Sequence, residues 1–408
     1  MKILHTSDWH IGRVLHARKR YDEFEAFFKW LFETIEAQKV DALLIAGDVF
    51  DTSMTTNRAQ QLYYRFLCRV AGSCCRHVVV VGGNHDSSSF LDAPKELLKG
   101  LNVHVVGAAS GCPADEVVVL RGVAGNVEAI VCAVPYLRDR DIRTVEAGED
   151  VREKSRKLLD GITKHYVEVC KVAESMRKEA GNVPLIAMGH LFAAGGKTIE
   201  DDGVRELYVG TLAQTGAEAF PPCIDYLALG HLHISQVVAG NEKMRYCGSP
   251  LPMGFGEAEH EKKVLLVDFV GNAPQIVEHS IPCFQRLKRI SGTLPELLDQ
   301  ISHLKQSGGS VWLEVKLTET APPIKVKESL ESAIAGSKIE IMAIKNMQLV
   351  AGLGVPLDIG ETINDLSVEE VFNRCLDARA VPAAQRQELL QTYRVALASL
   401  HEKDVNLE

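Results

Sequence analysis

The sequence predicts an α/β protein in which two β-sheets are covered by helices, followed by a small α+β domain and a C-terminal pair of helices. Three patterns predict this: short β-branched runs alternate with helical periodicity in the first third, shorter strands follow from about residue 116, and a strand–helix pattern restarts after residue 280. At 408 residues the chain is also too long for one hydrophobic core, so we expect a large domain and at least one smaller unit.

The first third predicts a β-α-β-α-β arrangement. Its elements, in chain order, are a strand at residues 2–6, a helix at 21–37, a strand at 42–46, a helix at 58–70 and a strand at 77–81. The segments 43–45 and 78–81 are continuously apolar, which is typical of strands that are buried on both faces. We therefore expect helices to cover this sheet.

The middle of the chain predicts a second sheet. It contains one long helical stretch at residues 151–178 and a set of short strands at residues 117–120, 129–133, 184–188, 226–229 and 263–269. Two sheets, each with its own helices, make a two-sheet α-β-β-α sandwich, which we predict for residues 1–279.

A small α+β domain is predicted at residues 280–345. Its pattern is strand, helix, strand, helix, strand, at residues 285–290, 294–304, 310–317, 324–334 and 338–344. Residues 346–365 are predicted to be a linker, because glycine and proline are concentrated between residues 351 and 361.

Two amphipathic helices are predicted at residues 366–408. Ser367 and Glu370 form a capping box at the start of the first helix, whose apolar stripe includes Phe372. The second helix carries an apolar stripe through Tyr393 and Leu397. Such helices outside the main domains either pack back onto the body or bind a partner, and the sequence favours neither interpretation.

The chain is expected to be cytoplasmic, with no membrane partner. Its N-terminus has no apolar core of signal-peptide length, and no run elsewhere is long enough to span a bilayer. The ten cysteines are scattered and include no Cys-x-x-Cys motif, so we expect most of them to be reduced and buried.

The net charge of −9 has the wrong sign for a protein that holds nucleic acid by its overall field. Any contact with DNA must therefore be local or shared with a partner. The candidate basic patches are Arg13 with residues 18–20, and Arg138 with Arg140 and Arg143. For each patch, solvated loop charges are an equally good interpretation.

Five short segments place potential metal ligands directly after predicted strands, where open sheets collect ligands. Each segment alone is weak, since Asp8 could be a turn residue and His190 a core histidine. Together they supply three oxygen donors and four imidazoles, which chance hardly produces in one chain. The predicted metal ligands are Asp8, His10, Asp48, Asn84, His190, His231 and His233.

These donor types suit a two-metal hydrolase. Two ions about 3.5–4 Å apart need a bridging carboxylate, and together they activate a water and stabilise the charge on phosphorus. Asp48 is the natural bridge. Mixed oxygen and nitrogen donors suit Mn²⁺, Fe²⁺ or Zn²⁺ better than Ca²⁺ or Mg²⁺, and the lack of a cysteine ligand argues against structural zinc.

His85 is the predicted catalytic residue. It lies beside the proposed ligand Asn84, so the same turn should direct it towards the substrate phosphate, where it can protonate the leaving oxygen or stabilise charge. Asp86 is expected to be structural, and Asp51 a turn residue or a support for a ligand. The glycines before Asp48, Asn84, His190 and His231 are expected to let the backbone turn sharply.

The motif set Asp-x-His, Gly-Asp-x-x-Asp, Gly-Asn-His-Asp, Gly-His and Gly-His-x-His resembles the calcineurin-like metallophosphoesterase superfamily. Four segments, at residues 2–12, 46–51, 246–250 and 366–372, are similar to the nuclease subunits of bacterial SbcCD complexes. The motif-level likeness covers residues 1 to about 255 and returns near residues 366–376. Between these blocks only the pattern of elements is similar.

The resemblance implies a ligand assignment. One metal would be held by Asp8, His10, Asp48 and His233, and the other by Asp48, Asn84, His190 and His231, with His85 as the catalytic histidine.

The resemblance also implies a manganese-dependent nuclease that degrades double-stranded DNA from its ends in the 3′ to 5′ direction and opens hairpins, in DNA repair, recombination and replication. Its partner would be the coiled-coil ATPase SbcC, and it would act as a homodimer within a heterotetramer. The C-terminal helices would dock on the coiled coil, and residues 280–345 would form a capping domain that helps to hold DNA.

Two other functions are compatible with the motifs. A phosphoesterase for small molecules or phosphoproteins would use the same ligands, although it would need neither the α+β segment nor the helical tail. A non-catalytic scaffold would keep the fold, although it should lack a ligand or the catalytic histidine, and every one of these positions is filled.

Overall fold

The computed structural model describes residues 1–142, 151–193, 215–319 and 323–346, together with isolated positions between 372 and 393. The chain divides into two compact units. The first contains Met1–Lys288 with Ser310–Trp312, and the second contains Arg289–Gly309 with Leu313–Glu408. None of the helices in the described ranges combines the length and the apolar character needed to span a membrane.

Seventeen strands occur in the described part of the chain. They are β1 (Lys2–Thr6), β2 (Val14–Leu15), β3 (Arg18–Lys19), β4 (Ala42–Ala46), β5 (His77–Val81), β6 (Val103–Val106), β7 (Val117–Arg121), β8 (Val127–Ala133), β9 (Leu185–His190), β10 (Tyr226–Gly230), β11 (Gln236–Val238), β12 (Asn241–Tyr246), β13 (Lys263–Val270), β14 (Ala273–Ser280), β15 (Arg286–Gly292), β16 (Val311–Leu317) and β17 (Ile339–Asn346).

The same residues form eight α-helices and three short 3₁₀ helices. The α-helices are α1 (Tyr21–Gln38), α2 (Asn57–Ala71), α3 (Ser88–Asp92), α4 (Lys95–Lys99), α5 (Asp139–Ile142), α6 (Val151–Ala180), α7 (Leu294–Ser307) and α8 (Pro323–Ile334). The 3₁₀ helices are Pro113–Glu116, Ala217–Ala219 and Phe255–Glu257.

The first unit contains two six-stranded sheets. The first sheet has the order β14-β13-β1-β4-β5-β6, in which β1, β4, β5 and β6 are parallel and β13 and β14 are antiparallel to their neighbours. The second has the order β11-β12-β10-β9-β8-β7, in which the four central strands are parallel and the two outer ones antiparallel. The two central parallel blocks bring several carboxyl-terminal strand ends to one edge of each sheet.

Alternating side chains of the strands separate three apolar layers. In β4, Leu44 lies in the core shared by the two sheets, whereas Leu43 and Ile45 face the opposite side and pack with residues of α1 and α2. On the second sheet, Leu185 and its neighbours pack with Tyr166 of α6. The predicted α-β-β-α sandwich is therefore confirmed.

Sequence periodicity located most elements to within three residues. The strands at 2–6, 42–46 and 77–81 have their predicted bounds, and the predicted helices at 21–37 and 58–70 are α1 and α2, each extended at one or both ends. The N-terminus of α2 is capped by Thr56, whose side chain accepts a hydrogen bond from Ala59 N at 3.2 Å.

The assignment of residues 263–269 to the second sheet was wrong. Strand β13 covers this segment and pairs antiparallel with β1 in the first sheet. Strands β6, β11, β12 and β14 were missed. Strand β14 lies at a sheet edge with half or more of its side chains exposed, so it lacks the apolar run by which buried strands are recognised.

The second unit contains a three-stranded sheet of order β15-β16-β17 with helices α7 and α8. Helix α7 begins with a capping box formed by Thr293 and Glu296. The boundaries at 279 and 345 stay predictions. Most of the predicted linker at 346–365 and of the helices at 366–408 lies outside the described residues, although the rings of Phe372 and Tyr393 stack with centroids 3.9 Å apart.

Candidate metal centre

The predicted ligands follow strands of both sheets. Asp8 and His10 follow β1, Asp48 follows β4, and Asn84 follows β5, all in the first sheet. In the second sheet His190 ends β9, and His231 and His233 follow β10. Every one of these residues belongs to the first unit.

Asp48 lies at the centre of the cluster. Its Oδ2 is 3.3 Å from His190 Nε2 and 3.6 Å from His10 Nε2. His190 Nε2 is also 3.0 Å from the side-chain oxygen of Asn84, and His10 Nε2 is 3.1 Å from His233 Nε2. Five ligands from both sheets thus converge on a small buried volume.

Asp8 and His231 join the cluster from its second-sheet side. The Asp8 carboxylate accepts the backbone N–H of His231, at 2.9 and 3.1 Å to its two oxygens. The ring of His231 lies beside that of His190, with centroids 5.4 Å apart. The ligand atoms of Asp8, His10 and His233 lie within 4.8 Å of one another, as do those of Asp8, Asp48 and His190.

The hydrogen bonds around the imidazoles fit a bound cation. His190 Nδ1 donates to the carbonyl oxygen of Ala46 at 3.0 Å, so the Nε2 of the neutral ring is a lone pair directed at the oxygens of Asp48 and Asn84. His233 Nδ1 is bound by Glu257 at 3.0 Å, which leaves two Nε2 atoms, of His10 and His233, facing each other. Acceptors that face acceptors require a cation or a proton between them.

The electrostatics of the cluster favour positive charge at His190. Burial would lower the pKa of His190, but the Asp48 carboxylate and its hydrogen bond outweigh burial and raise the pKa to about 9. Burial would likewise raise the pKa of Asp48, yet His190, His10 and His85 hold it far below its usual range. Asp8, by contrast, has a raised pKa because burial dominates. A metal ion would take the place of the proton on His190.

Several site residues have left-handed backbone conformations. Asp8, His10, Asp48 and His231 have φ of 52°, 47°, 47° and 105°, a region that residues with a Cβ seldom adopt. The turns are held by backbone bonds between loops, from Asp8 N to Gly47 O and from His10 N to Asp48 O, each at 3.0 Å. Such local strain is concentrated at functional sites in proteins.

The glycines of the motifs have a different role from the one predicted. Gly47 does have a left-handed φ of 85°, as a sharp turn requires. A Cβ on Gly83 would overlap the Asp48 carboxylate, and one on Gly230 would overlap the carbonyl oxygen of Ala46. At these two positions glycine is needed because other segments approach the backbone closely.

Asp86 ties two loops of the site together. Its carboxylate accepts backbone N–H groups from Val49 at 3.1 Å, from Phe50 at 2.9 Å and from Gly83 at 2.9 Å. Burial and the nearby Asp48 charge raise the pKa of Asp86 to about 6. These contacts are those of a structural residue that holds the loop of Asp48 against the loop of Asn84.

The Asp86→Ala variant is expected to lower the free energy of unfolding by about 3 kcal/mol, because three buried donors lose their acceptor and each loss costs on the order of 1 kcal/mol or more. Urea unfolding in the presence of chelator measures this apart from metal binding. Asp92 offers a matched control, since its carboxylate accepts one backbone N–H, from Gly107 at 2.9 Å. Equal effects of Asp86→Ala and Asp92→Ala would contradict the assignment.

His85 lies at the edge of the ligand cluster. Its backbone N–H donates to Asp48 Oδ1 at 2.9 Å, and its Nδ1 donates to the carbonyl oxygen of Asp51 at 2.7 Å. The Asp51 carboxylate lies 3.4 Å from His10 Nδ1 and 3.2 Å from Arg13 Nη1, as a support for a ligand would. His10, Asp51 and His85 also form a third group with ligand atoms within 4.8 Å, which the sequence interpretation did not include.

Sequence reasoning missed two buried residues behind His233. Glu257 is fully buried, binds His233 Nδ1 at 3.0 Å and forms an ion pair with Lys262. Burial would raise the pKa of Glu257, but Lys262 and His233 lower it to about 2. Both residues lie just beyond the Gly248-Ser249-Pro250 segment, and no local pattern distinguishes them from surface charges.

The predicted basic patches have mixed outcomes. Arg20 is buried and forms a two-pronged ion pair with Glu23, at 2.7 and 2.8 Å, so it is neither a solvated charge nor a DNA contact. Arg18 and Lys19 are exposed on a short hairpin. Arg138 donates to Ser88 Oγ at 3.2 Å, and Arg140 is exposed. Arg143 lies outside the described residues.

A helix-covered pair of sheets that brings carboxylates and imidazoles together after its strands defines a metal-dependent phosphoesterase, which is a hydrolase. Comparison with protein families agrees: residues 1–235 match the calcineurin-like phosphoesterase family, and residues 283–380 match the family described as the type 5 capsule protein repressor C-terminal domain.

Three relatives are named as SbcD, the D component of the SbcCD nuclease. The protein of Escherichia coli (strain K12) is 35% identical over 98% of both chains. That of Rhodobacter capsulatus is 32% identical over 84% of this chain and 87% of its own, and that of Bacillus subtilis (strain 168) is 33% identical over 66% of each. The chain belongs to the SbcD family of calcineurin-like phosphoesterases.

Proposed function

We propose that this chain is the nuclease subunit of an SbcCD-type complex and that it hydrolyses phosphodiester bonds of double-stranded DNA with two metal ions. The position of Asp48 carries the proposal. A single carboxylate oxygen faces one imidazole that follows a strand of the first sheet, His10, and one that ends a strand of the second, His190. A carboxylate so placed is suited to bridge two ions.

The remaining donors divide into two sets around Asp48. Asp8, His10 and His233 would complete one site, and Asn84, His190 and His231 the other. The contact between His10 and His233 supports the first set, and the contact between Asn84 and His190 supports the second. Nitrogen and oxygen donors in this mixture suit Mn²⁺, which we propose as the metal.

Bound ions would activate a water molecule and stabilise charge on the phosphoryl group. The chain itself supplies the proton chemistry. His85 is proposed to hold a proton at Nε2 for the leaving oxygen, because its Nδ1 is engaged by the carbonyl oxygen of Asp51 at 2.7 Å. Its backbone N–H bond to Asp48 fixes the distance between the proton donor and the bridging ligand.

The names of the relatives support DNA as the substrate and SbcC, a coiled-coil ATPase, as the partner. We propose 3′ to 5′ degradation from ends and opening of hairpins, in a homodimer that assembles with SbcC into a heterotetramer. The predicted C-terminal helices would dock on the coiled coil. With a net charge of −9, DNA affinity would come from local patches or from the partner.

Mn²⁺ is expected to raise the midpoint of thermal unfolding and to switch on cleavage of a labelled linear duplex, and chelator is expected to abolish both. A ligand that binds the native state alone stabilises it by about 2.7 kcal/mol for each site at 100 times its Kd. Calorimetry and a gel assay on the purified chain, with and without SbcC, measure the two effects.

A simple aryl phosphodiester tested in parallel separates the alternatives. Hydrolysis of the aryl ester while the duplex stays intact, even with SbcC present, would indicate a phosphoesterase for small molecules or phosphoproteins. A chain that neither binds Mn²⁺ nor hydrolyses either substrate would be a non-catalytic scaffold.

A further inference from the structure

We infer that the buried ion pair of Glu257 and Lys262 positions His233 and thereby sets the metal affinity of one site, that of Asp8, His10, Asp48 and His233, without affecting the other. This inference rests on the two-metal function proposed above. Neither residue touches the proposed ions or the substrate, so both are positioning residues.

The pair holds His233 by its ring and by its backbone. Glu257 Oε1 lies 3.0 Å from the ring nitrogen Nδ1. Lys262 Nζ donates to the carbonyl oxygen of the same residue at 2.9 Å. With both ends of His233 held by two charged groups that also bind each other, the ring has little freedom to turn away from His10.

The ion pair is itself held by hydrogen bonds. Glu257 Oε2 accepts the backbone N–H of Met253 at 3.2 Å, and Lys262 Nζ donates to Ser249 Oγ at 2.9 Å. Glu257 has no exposed surface, and Lys262 is 8% exposed. A buried ion pair is seldom kept for stability alone, since apolar residues of similar volume serve as well. Its direct bond to a proposed ligand supplies a functional reason to keep it.

The carboxylate also affects the chemistry of the ring. A hydrogen bond from Nδ1 to a carboxylate fixes the tautomer in which Nε2 is the metal-binding nitrogen, and it increases the basicity of that nitrogen. His190 has no such support, because its Nδ1 donates to the backbone carbonyl of Ala46 at 3.0 Å. One proposed site is therefore supported by a carboxylate and the other by a peptide group.

This asymmetry predicts a selective effect. In the full-length chain, Glu257→Gln is expected to weaken one of two Mn²⁺ affinities by about 10- to 100-fold, the usual effect of removing such a partner, and to leave the other within about twofold. Isothermal titration with Mn²⁺ measures both constants. Electron paramagnetic resonance at one equivalent of Mn²⁺ per chain should show more mononuclear ion and less coupled pair than in the unaltered protein if the latter binds cooperatively.

Glu116 provides a matched control. It is also fully buried and binds an imidazole, His165 Nε2, at 2.7 Å, but it contacts none of the proposed ligands. Glu116→Gln is expected to leave both Mn²⁺ affinities unchanged. If Glu257→Gln does not fold, Glu257→Asp keeps the charge beside Lys262 while withdrawing the carboxylate from His233, and the same selective weakening is expected.

The possible results are distinct. Two Mn²⁺ affinities equal to those of the unaltered protein in the Glu257 variants would overturn the inference, and so would equal weakening of both sites, which would indicate a general effect on folding. Failure of the unaltered protein to bind Mn²⁺ would overturn the two-metal proposal itself, and the inference with it.

Discussion

The Asp48→Ala variant is expected to lose both metal ions and to show the same residual hydrolysis as the unaltered protein in chelator. The physical reason is that one Asp48 oxygen faces both His10 and His190, at 3.6 and 3.3 Å, so no other single side chain serves both proposed sites. The loss of rate should be at least about 10⁴-fold, because metal-bound water ionises near pH 7 whereas bulk water has a pKa of about 15.7.

Asp225 gives a control for the loss of a carboxylate. It precedes β10, at the end of the strand opposite to His231, where its Oδ2 accepts the backbone N–H of Leu185 at 2.9 Å. Asp225→Ala should reduce stability while two Mn²⁺ ions still bind. Metal content is measured by titration and activity on the aryl ester and the duplex. An Asp48→Ala protein that retained two ions would show that the bridge is another residue.

His85→Ala is expected to reduce turnover by about 10²- to 10⁴-fold while both metal ions still bind. His85 is tied to the site by its backbone N–H and by Asp51, so its imidazole can be removed without removing a proposed ligand. Single-turnover cleavage of the duplex at saturating Mn²⁺ gives the rate, and Mn²⁺ titration of the same preparation gives the metal content.

The third ion-binding group makes this variant decisive. His85 shares that group with His10 and Asp51, so loss of a metal ion in His85→Ala would identify His85 as a ligand and not as a proton donor. His303, an exposed histidine of α7, provides the control, since His303→Ala should change neither rate nor metal content. Unchanged turnover in His85→Ala would remove His85 from the mechanism altogether.

Most strands and the candidate site could be predicted because their signals are local. A run such as Val78–Val79–Val80–Val81 is apolar whatever surrounds it, and the polar residues that follow strands β1, β4, β5, β9 and β10 are visible in the sequence itself. The parallel order of strands then requires their carboxyl ends to meet. That the ligands of the two sheets approach within hydrogen-bonding distance is consistent with this expectation.

Long-range choices were beyond local patterns. Residues 263–270 form a strand by their own periodicity, but their pairing with β1 depends on which sheet edge is open once the chain has folded. Arg20 is one of three consecutive basic residues, and only the packing of Glu23 and Pro252 around it makes it a buried ion pair.

The sequence by itself determined the fold class, the strands that end at the site and the residue types that surround Asp48. The tertiary structure alone decided that Asp8, His10, Asp48 and His231 adopt left-handed conformations, that Gly83 and Gly230 are needed for close approach, and that Glu257 lies behind His233. The reason is that these features depend on segments far apart in the chain meeting at fixed distances, and a local pattern of residues contains no information about such distances.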